Sequence, residues 1–116
     1  MAEEHAALRF TRRYSASLDE VWRALTEPGA VSRWLGPPAD VEARMRTVES
    51  GRVLELDWKR RGESDSLVRF ELAPDGAGTV LVVDHSLLDA RVCMGYLGFW
   101  APHLDRFSEA VGGEWR

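Results

Sequence analysis

The sequence predicts an α+β fold, a curved antiparallel sheet wrapped round a long C-terminal helix, with two short helices after the first strand. Three observations carry this prediction. The middle of the chain alternates apolar and polar residues with period two, its last part repeats with period 3.6, and a helix-start signal follows the first alternating segment. At 116 residues the chain has the size of one domain, 1–116, which can bury about two-thirds of its unfolded surface without disulfide staples.

From Leu8 to Tyr14 the residues Leu8, Phe10 and Tyr14 fall on one side and Arg9, Thr11 and Arg13 on the other, as in a half-buried strand. Ser17 stands three residues before Glu20, the spacing of a capping box, so a helix is expected to begin there. Leu18, Val21, Trp22 and Leu25 make its apolar stripe, with Trp22 expected to wedge the helix against the sheet. Pro28 ends this run and can open a second short helix, in which Val31, Trp34 and Leu35 share a face before Gly36-Pro37-Pro38 breaks it.

Four period-two segments follow: Val41 to Val48, Val53 to Lys59, Leu67 to Ala73 and Thr79 to Ser86. Their short connections make them antiparallel neighbours. Ser50-Gly51 and the Pro74 to Gly78 stretch carry turn chemistry, and Gly62-Glu63-Ser64-Asp65 suits an exposed hairpin loop. Leu54, Leu56 and Trp58 form one face and Phe70 with Leu72 another, while Glu55, Asp57, Lys59, Arg69 and Glu71 suit cross-strand pairing on the wet side. From about Ala90, Leu97, Trp100, Leu104, Phe107 and Val111 recur at steps of three and four almost to Gly112-Gly113. Pro102 lies inside this helix and implies a kink or a late start.

Composition excludes several classes. Nineteen acids against fifteen bases leave a net charge of -4, which argues against nucleic acid as a partner. The short helix pair after the first strand is not a DNA reader either, because its exposed positions Asp19, Glu20, Glu27 and Arg33 are mostly acidic. No apolar run suits a membrane span. The single cysteine, Cys93, cannot close an internal disulfide, and Arg9 interrupts the apolar stretch near the N-terminus, so a cytoplasmic protein is expected.

One strand, two short helices, a run of antiparallel strands and a long last helix are the parts of a helix-grip fold. The stretch from Tyr14 to Pro28, followed by Arg33-Trp34-Leu35-Gly36-Pro37, resembles the opening of proteins like the activator of the ninety-kilodalton heat-shock-protein ATPase, within the START and birch-pollen-allergen (SRPBCC) superfamily. The resemblance continues in Leu56-Asp57-Trp58, in Leu72 to Thr79 leading to Asp84-His85-Ser86, and in Gly98-Phe99-Trp100-Ala101-Pro102-His103-Leu104. It departs in one place: only Asp40 to Val48 stands where the family carries an extra strand pair. This implies a reduced sheet with an edge open to another chain.

The residues offer little catalytic chemistry. His5, His85, His103, Cys93, Asp57, Asp84 and Ser86 form no metal-ligand spacing, nucleophile elbow or phosphate-binding loop, so no metal or other cofactor is expected. Asp84, His85 and Ser86 are strand neighbours that point to opposite faces and cannot converge as a triad. His85 shares its face with Leu81 and Val83, either as a hydrogen-bonded histidine at a cavity rim or as a polar anchor for a ligand. Cys93 reads as a small, half-buried residue. Trp34, Trp58 and Trp100, with Phe70 and Tyr96, border the space between sheet and helix, either as a packed core or as a cavity lining.

The expectation that follows is a non-catalytic protein holding a small hydrophobic molecule between sheet and C-terminal helix. Its expected lining is Trp34, Leu56, Trp58, Phe70, Leu72, Val83, His85, Tyr96 and Trp100. The alternative is a protein-interaction module: a homodimer formed through the shortened edge and Trp115, or a partner of a chaperone in a stress response, as the resemblance implies. A third reading is an enzyme with a cyclase-like use of the cavity, as in some relatives of the superfamily.

Overall fold

Among the described residues, five strands make one antiparallel sheet: β1 (His5–Tyr14), β2 (Val41–Glu49), β3 (Val53–Arg60), β4 (Ser66–Asp75) and β5 (Gly78–Asp89), in the spatial order β1-β5-β4-β3-β2. The structure is a computed structural model that describes residues 5–27 and 41–111. The second short helix expected from Pro28, with Trp34, falls outside the described residues, as does Trp115. Helix α1 (Leu18–Thr26) follows β1, and a 3-10 turn, Ala90–Val92, leads from β5 into α2 (Cys93–Ala110). This curved sheet with its long C-terminal helix is the helix-grip fold that the element order predicts.

The β2–β3 hairpin turns through Gly51, whose φ of +75° is open to glycine at no steric cost. Strands β4 and β5 run further than their alternation suggests. Asp75 pairs with Gly78, which leaves a two-residue turn where the sequence suggested a five-residue one. Gly78 has no alternative: a Cβ there would stand 2.2 Å from the Tyr14 carbonyl oxygen. Beside it, the buried Thr79 hydroxyl donates to the Ala16 carbonyl at 2.9 Å, tying the end of β1 to the start of β5.

Helix α1 starts at the expected cap. Ser17 Oγ accepts from the Glu20 N–H at 3.2 Å, while its own proton goes to the Glu20 carboxylate at 3.2 Å. The carboxylate thus meets the hydroxyl, where a full capping box would send it to the Ser17 backbone. Val21, Ala24 and Leu25 are the buried residues of α1. Trp22 is only partly buried against the core, so it does not wedge the helix onto the sheet. One step of 100° separates it from Val21, and the Val21–Leu25 line is the one that faces the strands.

Helix α2 begins at Cys93, after the 3-10 turn, and not at Pro102: it runs through that proline, which is exposed. The Gly98 carbonyl loses its donor there but lies on the exposed face. The buried line is Tyr96, Trp100, Leu104 and Phe107, continued by Val111. Leu97 was expected on this line and is instead 38% exposed, because the helix presents Tyr96 to the sheet.

On the outer face of the sheet the charged residues pair as their alternation predicts. Glu55 stands opposite Arg69, and the two join at 2.9 Å. The Thr47 hydroxyl and then Arg69 hold the Glu55 carboxyl below its ordinary range, against the opposing effect of burial. Arg9 meets Asp84 at 2.8 Å, which sends Asp84 outward while His85 turns inward.

Candidate ligand site between the sheet and the last helix

Period two sends Leu56 and Trp58 of β3, Phe70 and Leu72 of β4, and Val83 and His85 of β5 to the inner face, and α2 lays Tyr96 and Trp100 over them. All eight are buried, so the structure brings together every expected lining residue except Trp34, which lies outside the described residues. They meet one another directly. The Trp58 ring stands edge-on to His85 (5.6 Å between centroids), Tyr96 (6.3 Å) and Phe99 (5.7 Å), and Trp100 stands edge-on to Phe70 (6.1 Å) and Phe99 (5.2 Å). Such pairs contribute about 0.5 to 1.5 kcal/mol each beyond their buried area.

A chain of hydrogen bonds threads this cluster. The Trp100 indole N–H donates to His85 Nδ1 at 2.9 Å, and His85 Nε2 lies 2.8 Å from Ser66 Oγ. The Trp58 indole N–H donates to the Tyr96 hydroxyl at 2.9 Å, and that hydroxyl donates to Glu63 Oε1 at 2.7 Å. Burial first, and then the bond to Glu63, raise the Tyr96 hydroxyl above its ordinary pKa.

An indole N–H can only donate, so His85 Nδ1 must be the unprotonated nitrogen. The neutral ring therefore carries its proton on Nε2 and donates it to Ser66. Burial pushes His85 down to about 4, which keeps it in that neutral form at pH 7. The Ser66–His85 pair has the spacing of a nucleophile and its base but the wrong tautomer, since a base must accept the hydroxyl proton. The sequence left His85 as a hydrogen-bonded histidine at a cavity rim or as a polar anchor for a ligand. It is hydrogen-bonded, but at the centre of the cluster and not at a rim, because β5 is paired with β1 on one side and β4 on the other, and α2 covers its inner face at Trp100.

Three members of this arrangement had no role in the sequence reading. Ser66 could have been found, since it continues the inward alternation of Val68, Phe70 and Leu72 and stands opposite Trp58. Phe99 could not be told from its neighbours by period alone. Glu63 comes from the β3–β4 loop, which carries no periodic signal.

An open groove of about 370 Å³ adjoins the cluster, lined by Arg60, Glu63, Val92, Gly95, Tyr96 and Phe99. Its size is in the range of small-molecule sites. Val92, Gly95 and Phe99 make an apolar wall, and Arg60 with Glu63 make a charged end. A side chain at Gly95 would meet nothing within 4 Å. Two other recesses, beside residues 13–15 with 75–78 and between α1 and Val111, lie away from the aromatic cluster. Among the described residues, no group of three or more His, Cys, Asp or Glu could hold a metal ion, and no helix is long and apolar enough to cross a membrane.

Known structures share this architecture. The crystal structure of CalU16 from Micromonospora echinospora aligns with a TM-score of 0.81 over 97% of this chain and 87% of that one, at 25% identity. An AHSA1-like protein from Rhizobium etli aligns with a TM-score of 0.74 over 95% of this chain and 84% of that one, at 26% identity. Protein MLL2253 from Mesorhizobium loti, at 22% identity and a TM-score of 0.82 over 90% of this chain and 96% of that one, shares the fold. No protein-family model matches the sequence, and no curated protein does. What this chain has in common with these structural neighbours, which belong to the SRPBCC superfamily, is the helix-grip fold.

Proposed function

We propose that this protein binds a small hydrophobic molecule without transforming it, seated in the groove over Tyr96 and Phe99. The observation that carries the reading is the position of Tyr96, which belongs both to the buried hydrogen-bond chain and to the groove lining. Leu56, Trp58, Phe70, Leu72, Val83, His85 and Trp100 form the rigid wall behind it; Trp34, which the sequence adds to the lining, lies outside the described residues. The apolar body of a ligand would lie on Val92 and Phe99, with any polar end at Arg60 and Glu63. The fold shared with CalU16 supports this reading, and the tautomer of His85 supports binding without turnover. A chaperone partnership rests on the sequence resemblance alone.

The test is titration with an apolar fluorescent probe, read by quenching of the indole emission. One saturable site is expected in the unaltered protein. Gly95→Leu would fill the groove from open space, and binding should be lost while the circular dichroism spectrum is kept. Gly98→Leu, also in open space but outside the groove lining, is the control and should bind as before. Undiminished binding in Gly95→Leu would remove the groove from consideration.

A further inference from the structure

Among the described residues, strand β2 is an edge of the sheet, paired only with β3. Its ladder has a bulge at Arg46: Met45 stands opposite Leu56, Thr47 opposite Glu55 and Val48 opposite Leu54. The extra residue shifts the alternation, so Met45 and Val48 both lie on the inner face although three positions apart. Their partners Leu56 and Leu54 are buried, yet Met45 is 61% and Val48 53% exposed. The apolar inner face therefore extends one strand beyond the part of the core that is covered.

We infer that β2 is the pairing edge for a second copy of this chain, joined antiparallel about a two-fold axis at the Arg46 bulge. In that register Met45 stands opposite Val48 of the second copy on the inner face, and Arg44 opposite its Glu49 on the outer face. Symmetry supplies each contact twice. Apolar side chains meet apolar ones and opposite charges meet. Shifts that set Arg44 opposite Arg46 or Glu42 opposite Glu49 oppose like charges and are disfavoured. The other edge, β1, carries Arg9, Arg12 and Arg13 and no acid, so self-pairing there repels. Arg44, now held by Glu42 of its own strand at 2.8 Å, is exposed and can exchange that carboxylate for one across the axis.

The test is mass by light scattering and sedimentation from micromolar to millimolar protein. The expected result is twice the chain mass of 13.1 kDa at the upper end. Met45→Lys with Val48→Lys should return the mass to one chain with the circular dichroism spectrum unchanged, since both positions are exposed in the monomer. Arg44→Glu alone and Glu49→Arg alone should each weaken the dimer, and the two together should restore it. A single-chain mass throughout overturns the inference. So does a dimer indifferent to all four β2 substitutions, and Met94→Lys would then show whether the exposed Met94–Leu97 face of α2 carries it instead.

Discussion

The indole N–H of Trp100 lies 2.9 Å from His85 Nδ1, and this contact decides what the buried histidine can do. It takes the one nitrogen that could hold a second proton and leaves the other to donate to Ser66. Long-range nitrogen–proton NMR correlations should show His85 as the Nε2–H tautomer at neutral pH. A protonated Nδ1 would contradict the hydrogen-bond chain.

The same burial makes stability depend on pH. His85 titrates near 4 in the folded chain and near 6.5 when unfolded, so the unfolded state takes up the proton first as pH falls. The stabilisation is complete above about pH 6.5, declines toward pH 4, and amounts to about 3 kcal/mol across that window. Glu55 and Asp89, both held below their ordinary values, lose their contributions at lower pH still. Urea unfolding at intervals from pH 7 to pH 4 measures the slope, and His85→Gln should flatten it.

Trp100→Ala should cost about 3 to 5 kcal/mol, because the ring is packed on Phe70, Phe99 and Trp58 and fills its site. Trp100→Phe keeps most of the packing and leaves His85 Nδ1 without its donor, at a cost of about 1 to 3 kcal/mol. Trp22→Ala should cost less than Trp100→Ala, since Trp22 is only partly buried. Denaturant midpoints rank the three, and a reversed order for Trp22 and Trp100 would put the core in the wrong place.

Two glycine substitutions should move stability in opposite directions. Gly95→Ala adds a methyl into open space on a helix and should stabilise by up to about 1 kcal/mol. Gly78→Ala drives a methyl into the Tyr14 carbonyl and should destabilise by about 1 to 3 kcal/mol. Paired melting curves distinguish them, and equal shifts would contradict the described backbone.

Leu87 has φ +58° and is 51% exposed, at the point where β5 gains a residue on β1. A left-handed leucine is strained by about 1 to 2 kcal/mol, whereas asparagine tolerates that conformation. Leu87→Asn should raise the melting temperature. A fall would mean that the leucine makes contacts that outweigh the strain.

The sequence by itself determined which residues share a face on β3, β4 and β5, where α1 begins and that the four strands joined by short connections are neighbours, but not that β1 pairs with β5. What it determined is local, set by period, caps and short connections. It also picked out the strand residues of the buried cluster, Leu56 to His85, because inward alternation on β3, β4 and β5 is visible in single segments. Only the tertiary structure decided what each face meets. Leu97 and Tyr96 are adjacent on one helix, and α2 as it docks on the sheet buries Tyr96. Trp22 and Val21 are equally apolar, and the strands opposite α1 choose Val21. His85 alternates like any inward residue, but Trp100 and Ser66 on two other elements fix its tautomer and push its titration down. Met45 and Val48 share a face only through a bulge, which depends on the β3 partner strand and leaves no mark in the alternation of β2 itself. Burial and hydrogen bonding belong to pairs of surfaces, and a chain shows one member of each pair at a time.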